Sequence, residues 1–160
     1  MNFPTSTFLL ASLLAISGNA EKSVRNADVL CLASIVIEKP HDEIPAYLRY
    51  NNLHESAVDS DGLCMSYTSS ANETITIYRD PLPANITPTR VEILTNASGS
   101  EISEKLSLCG FIKADDGNKR KKRGDTAYVK RTKYHPSRIM CVVSQGSPAR
   151  ITFTKVRGEI

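Results

Sequence analysis

The chain has 160 residues, of which 41% are hydrophobic and 23% charged, the composition of an ordinary folded domain. This length accommodates one domain rather than two, and the composition excludes a disordered chain or a fibrous repeat. The net charge of +3 is unevenly distributed. Residues 21–112 carry 7 basic and 13 acidic side chains, whereas residues 113–160 carry 13 basic and 4 acidic ones. The basic C-terminal part is therefore the first indication of a binding function.

The first residues of the chain have the pattern of a secretory signal peptide. Residues 1–20 contain no charged side chain and include an apolar stretch from Phe8 to Ile16. Gly18 and Ala20 then provide the small residues of a cleavage site. This apolar stretch is shorter than the roughly 20 residues that a membrane anchor needs. We therefore expect a signal peptide over residues 1–20, a single domain over residues 21–160, and secretion of a monomer.

Four cysteines follow the predicted signal peptide, an even number that indicates two disulfides in a secreted protein. Three connectivities are compatible with this number. We favour Cys31–Cys141, which would join the two ends of the domain, and Cys64–Cys109 inside it. No two cysteines have the spacing of a zinc site and histidine is scarce, so no metal or cofactor is expected.

Three Asn-x-Ser/Thr sequons begin at Asn72, Asn85 and Asn96. In a secreted eukaryotic protein each is a candidate glycosylation site, and each is therefore expected on a surface loop.

In chain order, the pattern predicts a strand at Leu32–Ile37, then a helix at about residues 42–55 that begins near Asp42. Alternating or β-branched stretches predict further strands, with the C-terminal one added at an edge of the sheet. These strands are Thr74–Tyr78, Arg90–Leu94, Leu106–Ala114, Thr126–Arg131, Ile139–Val143 and Arg150–Val156. The expected fold is α+β, with one helix packed on a central antiparallel sheet and disulfides that stabilise it.

Four local motifs resemble those of a known family. They are the Tyr-Arg-Asp-Pro-Leu segment at Tyr78–Leu82, the strand Pro88–Ile93, the strand Gly110–Ala114, and Cys141 near the end. Their order and spacing resemble those of the small fungal guanyl-specific ribonucleases, and more closely those of the RNase-like secreted effectors of powdery mildew fungi. The resemblance covers roughly residues 31–141 and implies the microbial ribonuclease fold.

The resemblance also implies where a catalytic site would lie. Ribonucleases of this family use a carboxylate as general base, an arginine that neutralises the transition state, and a histidine as general acid. In this chain Arg79 stands at the position of the base, Ala114 at that of the acid, and only the phosphate-binding Arg90 is kept. The resemblance therefore implies the fold without the activity. Arg79, Arg90 and Lys113 would then form a basic pocket for phosphate, unless Arg79 points to solvent or pairs with a neighbouring carboxylate.

A basic segment, residues 119–133, follows the Gly110–Ala114 motif and has four interpretations. It is a phosphate-contacting patch, a dibasic processing site, an import signal used after entry into host cells, or a solvated loop. The candidate RNA-contacting residues are Arg79, Arg90, Lys113, Lys119, Arg120, Lys121, Lys122, Arg123, Lys130, Arg131 and Lys133.

The leading hypothesis is a secreted fungal effector with a catalytically inactive ribonuclease-like fold that binds host RNA or a host protein, such as an immune receptor. One alternative is an active secreted endoribonuclease that uses other groups, for instance Glu92 as base and His135 as acid. The other is a disulfide-bonded apoplastic binding or inhibitor protein unrelated to ribonucleases.

Overall fold

The computed structural model describes residues 28–81, 86–114, 124–132 and 137–157. Its helices are α1 (Val29–Val36), α2 (Ile44–Tyr50) and α3 (Gly99–Leu108). Its strands are β1 (His54–Val58), β2 (Cys64–Thr68), β3 (Thr74–Tyr78), β4 (Arg90–Thr95), β5 (Ile112–Lys113), β6 (Asp125–Arg131), β7 (Ser137–Ser144) and β8 (Ala149–Arg157). The predicted signal peptide, Asn85, the basic residues 119–123, Lys133 and His135 lie outside the described residues.

The eight strands form one antiparallel sheet in the order β1-β2-β3-β4-β8-β7-β6-β5. The prediction that the C-terminal strand is added at an edge is wrong, because β8 pairs with β4 on one side and with β7 on the other. Its residues Ala149, Ile151 and Phe153 alternate with polar ones and are buried. A central strand forms hydrogen bonds with two neighbouring strands and packs its apolar face on the core, whereas an edge strand pairs on one side only.

One face of the sheet is covered by the helices and forms the core. Alternate residues of the central strands point into this core, among them Ile75, Ile77, Val91 and Ile93. Helix α1 contacts β3, β4 and α3. The fold is therefore α+β as predicted, but the prediction of one helix is wrong, since the described residues contain three.

Helix α1 replaces the strand that was predicted at residues 32–37. The carboxylate of Asp28 caps the helix by accepting a hydrogen bond of 3.1 Å from the backbone N–H of Leu30. Val29, Leu32, Ala33 and Val36 lie on one side of the helix and are buried, and the buried Leu30 and Ser34 extend this surface around it. The apolar, β-branched composition therefore reflects a helix that is buried on most sides, although Ile35 is exposed. For such a helix, composition alone does not distinguish helix from strand.

Helix α3 replaces the first part of the strand that was predicted at residues 106–114. Ser98 and Glu101 form a reciprocal capping box, and Ile102 and Leu106, four residues apart, are buried on one side of the helix. The Ser-x-x-Glu pattern of this capping box is present in the sequence. Only Ile112 and Lys113 of the predicted strand are extended, as β5.

Helix α2 lies within the predicted range of residues 42–55 but is shorter, because the chain leaves the helix at Asn51 and enters β1 at His54. Strands β1 and β2 were not predicted. All five residues of β1 are exposed, so it lacks the apolar alternation that indicates a strand. The other predicted strands are confirmed, with bounds that differ by at most two residues at either end.

Both predicted disulfides are wrong, because the structure joins Cys31 of α1 to Cys109, which follows α3, with a Cα–Cα distance of 6.1 Å. Cys64 and Cys141 are free. They lie in β2 and β7, four strand spacings or roughly 19 Å apart along the sheet. The bond fastens α1 to α3, and the ion pair of Asp28 with Lys105 links the same two elements.

The observed pairing predicts that Cys31 and Cys109 alone stabilise the fold covalently. The Cys31→Ser/Cys109→Ser variant should lose about 3–5 kcal/mol of unfolding free energy, because the bond closes a 78-residue loop. Cys64→Ser is the control, since Cys64 is half-buried and free. Urea unfolding measures the unfolding free energy of both variants. Thiol titration of the denatured, unreduced protein should find two thiols per chain. A fully oxidised chain, or equal destabilisation by Cys64→Ser, would contradict the pairing.

The central position of β8 predicts a second difference in stability. Phe153 has no exposed surface, and its ring centroid lies 5.6 Å from that of Phe111, edge to face. Phe153→Ala should lower the unfolding free energy by about 3–5 kcal/mol. Thr152→Ala, on the other face of the same strand, should change it by no more than about 0.5–1 kcal/mol. Urea unfolding that finds the two variants equally destabilised would be evidence against this orientation of β8.

Candidate binding surface on the open face of the sheet

The face of the sheet opposite the helices is called the open face. The antiparallel register aligns its side chains in rows that cross the sheet. One row crosses seven strands and consists of Ile112, Val129, Met140, Thr154, Arg90, Tyr78 and Cys64. A second, neighbouring row consists of Ala127, Val142, Thr152, Glu92, Thr76, Ser66 and Ala57. Most of these side chains are half-buried or exposed, so the open face is a mixed apolar and polar surface.

Three residues of the open face form a compact polar cluster. The Tyr78 hydroxyl donates to Glu92 Oε2 at 3.3 Å, and Arg90 Nε lies 3.3 Å from Glu92 Oε1. The Arg90 guanidinium carbon also lies 4.0 Å from the centroid of the Tyr78 ring. The side chain of Glu92 is 18% exposed, whereas that of Arg90 is 44% exposed. The cluster therefore holds Arg90 in place and leaves part of it open to an anion from solvent.

The Ser and Thr side chains of β2 and β3 extend this polar region. Ser66 and Thr76 are joined by a hydrogen bond of 3.0 Å between their hydroxyls, and Thr68 and Thr74 have a longer contact of 3.5 Å. Cys64 lies beside Tyr78 in the same region, and burial raises the pKa of its thiol. This thiol is therefore mainly protonated near neutral pH.

The structure does not bring the residues of the predicted phosphate pocket together. Arg90 begins β4 and Lys113 ends β5, four strand spacings or roughly 19 Å apart along the sheet. Ala114, at the position of the general acid, lies beside Lys113 and donates its backbone N–H to Ala127. The expectation of one pocket formed by Arg79, Arg90 and Lys113 is therefore wrong.

Arg79 also lies apart from Arg90. It directly follows Tyr78, so the alternation of the strand directs it to the side of the helices, and it is exposed. There it acts on His41, which lies between α1 and α2. Burial, followed by the nearby charge of Arg79 and the weaker effect of Lys155, lowers the pKa of His41 below its ordinary 6.5. Arg79 and Lys155 thus place positive charge near His41, on the side of the sheet that the helices cover.

The predicted basic patch is also divided. Lys130 is directed towards the helices, with its ammonium 5.6 Å from the centroid of the Phe111 ring, whereas Arg131 is exposed on the open face. Residues 119–123 and Lys133 lie outside the described residues.

Sequence reasoning missed two arginines of the open face, Arg138 and Arg150, both of which are exposed. Arg138 is paired across the strands with Arg131, and Arg150 with Leu94 and Ser144. The sequence contained a signal for both positions, because Arg138 and Arg150 each alternate with the buried residues of their strands. What the sequence lacked was the strand order that places both on the face that carries Arg90.

Two of the three sequons can be compared with the structure. Asn72, in the turn between β2 and β3, and Asn96, directly after β4, are exposed as predicted. Asn85 lies outside the described residues. Glycosylation itself stays a prediction.

Among the described residues, no group of three or more His, Cys, Asp or Glu side chains is placed to hold a metal ion. None of the helices in this part of the chain is long and apolar enough to cross a membrane. No family model, curated protein or solved structure matches the chain.

The environment of His41 predicts a pH dependence of stability. Since its folded pKa lies below 6.5, the unfolded chain takes up the proton first, and stability falls as the pH drops through 6.5 towards the folded pKa. His41→Gln should therefore lose less unfolding free energy than the unchanged protein between about pH 7.5 and about pH 5.5. His54→Gln, at an exposed position of β1, is the matched control.

Urea unfolding at both pH values measures these losses. If His41→Gln loses as much stability as the unchanged protein, or His54→Gln abolishes the effect, then the proposed role of the His41 environment is refuted.

Proposed function

We propose that this protein is a secreted fungal effector with a catalytically inactive ribonuclease-like fold, and that its open face binds host RNA without cleaving it. The observation that carries the proposal is the charge of this face. Among the described residues, the open face carries four arginines and two carboxylates, Glu92 and Asp125. Glu92 is already paired with Arg90. The four arginines are Arg90, Arg131, Arg138 and Arg150.

The arginines are suited to bind the backbone of RNA rather than its bases. Guanidinium groups bind phosphate oxygens with two parallel hydrogen bonds, and contacts of this kind carry no base sequence. The one aromatic ring of the described open face, that of Tyr78, already lies against Arg90 and is therefore partly covered. We accordingly expect binding with little sequence preference and a strong dependence on salt.

The lack of catalysis is supported by the surroundings of Glu92. A carboxylate that acts as general base needs an acid on the other side of the phosphate. The described histidine of the open face, His54, lies in β1, three strand spacings or roughly 14 Å from β4. The positions of base and acid that the resemblance implies hold Arg79 and Ala114. The alternative with Glu92 as base and His135 as acid is tested by the cleavage assay below.

A second candidate function is the binding of an acidic surface of a host protein, such as an immune receptor. It is favoured by one observation, namely that the open face is apolar at the β5 side. Ile112 is 74% exposed there, beside the half-buried Val129, Met140 and Val142. Methionine and arginine around an apolar centre are typical of protein interfaces.

The proposal predicts measurable binding of a short, fluorescently labelled single-stranded RNA by the mature protein. Fluorescence anisotropy should give a Kd of about 1–100 μM near physiological salt, and a slope of log K against log salt of roughly −3 for four phosphate contacts. Arg90→Gln or Arg150→Gln should reduce the magnitude of this slope by about 0.7 each. The control, Arg49→Gln, removes an exposed arginine of α2 on the side of the helices and should change neither quantity.

The same RNA should remain intact on a gel. Cyclic-phosphate products that disappear in His135→Ala would instead support the active ribonuclease with Glu92 and His135. Intact RNA with no change in anisotropy at low salt would exclude RNA binding and leave the acidic host protein as the candidate.

A further inference from the structure

A cavity of about 480 Å³ lies at the corner of the sheet where β5, β6 and β7 meet. This volume falls within the range of about 300–1,000 Å³ that is typical of small-ligand sites. Its apolar lining includes Ile112 and Val129, which are direct cross-strand neighbours on the open face. Its charged lining consists of Lys113, Lys130, Arg131 and Arg138. Among the described residues, the lining of this cavity therefore contains four basic residues and no carboxylate.

Two of these cations are placed in an arrangement that is unfavourable without a ligand. Arg131 and Arg138 are direct partners across β6 and β7, on the same face of the sheet, and both are exposed. Directly opposite residues have Cβ atoms about 4.5–5.5 Å apart, and like charges at this distance destabilise the sheet. No carboxylate of the described residues is paired with either guanidinium. An anion between them would remove this repulsion.

A third cation is positioned by packing. The Lys130 stem passes over Gly110, where a Cβ atom would lie 3.6 Å from Lys130 Cε, and its ammonium lies 5.6 Å from the centroid of the Phe111 ring. Gly110 itself has a φ of +87°, a conformation that glycine adopts without strain. The turn after α3 thus provides a surface along which Lys130 extends on the side of the helices, beside the edge of the sheet where the cavity lies.

We infer that this cavity is a phosphate-binding site, which takes one phosphate of an RNA strand or the phosphate of a free small molecule. Guanidinium groups on two directly paired residues can match the oxygens of a phosphate, and the lysines add charge without a fixed direction. Ile112 and Val129 provide an apolar floor for the organic part that the phosphate carries. The inference that the phosphate belongs to RNA rests on the proposed function, whereas the inference that the cavity binds a phosphate does not.

Arg90 and Arg138 are separated by two strand spacings, roughly 10 Å across the sheet. One strand of RNA on the open face would therefore reach both the Tyr78–Arg90–Glu92 cluster and the cavity. The cavity would then define one end of the RNA path.

The experiment uses two probes, inorganic pyrophosphate and the labelled single-stranded RNA, with the full mature protein. NMR titration with pyrophosphate should shift the backbone amides of Ile112 and Val129. Calorimetry should find that Arg131→Gln/Arg138→Gln weakens pyrophosphate binding at least tenfold, whereas Arg49→Gln leaves it unchanged. The double variant should melt no lower than the unchanged protein, since it removes a pair of like charges.

A second variant separates the geometry of the site from its charge. Arg131→Lys/Arg138→Lys keeps both charges but removes the planar forks of the guanidinium groups. We expect it to weaken pyrophosphate binding while the salt dependence of RNA binding is kept. Equal pyrophosphate affinity in this variant would overturn the paired-guanidinium site.

The outcomes distinguish the two proposals. If RNA binds and Arg131→Gln/Arg138→Gln changes neither its affinity nor its salt slope, and pyrophosphate causes no shift at Ile112 or Val129, the cavity inference fails while the proposed function stands. If pyrophosphate binds at the cavity and RNA does not bind, the inference holds for a free phosphorylated ligand and the proposed function fails. If neither probe binds, both are wrong.

Discussion

The pairing of β8 with both β4 and β7 is the interaction on which the rest of the structure depends. In the described sheet, strands β1–β4 and β5–β7 are two groups of neighbours that are joined through this strand. Because side chains alternate along β8, burial of Phe153 on one face places Thr152 and Thr154 on the other. A shift of one residue would reverse both faces. The register of this strand therefore determines which arginines share the open face.

The two faces of the sheet differ in function: one provides the packing that stabilises the fold, and the other carries exposed charge. On the covered face, the bond of Cys31 with Cys109 and the ion pair of Asp28 with Lys105 hold α1 against α3 over a continuous apolar core. The arginines of the open face contribute little to this packing, and Arg131 faces a like charge. Stability therefore comes from one side of the sheet, which leaves the other side free to carry an unbalanced charge for binding.

The predictions that succeeded and those that failed follow from local pattern and tertiary context. The strands at Thr74–Tyr78 and Arg90–Thr95 alternate clearly because one face is buried and the other is not. Helix α1 is buried on most sides, so it shows no amphipathic pattern and resembles a buried strand. Strand β1 is exposed and is held by pairing with β2, which no local pattern reveals.

The sequence by itself determined the α+β class, most of the strands, the surface positions of Asn72 and Asn96, and the excess of basic residues after residue 112. Only the tertiary structure decided which residues meet. Arg79 and Arg90 are close in the chain but lie on opposite faces, because strand residues alternate. Conversely, Arg138 and Arg150 join Arg90 because β8 brings β4 and β7 together. Strand order is a long-range property, and neither motif spacing nor net charge contains it.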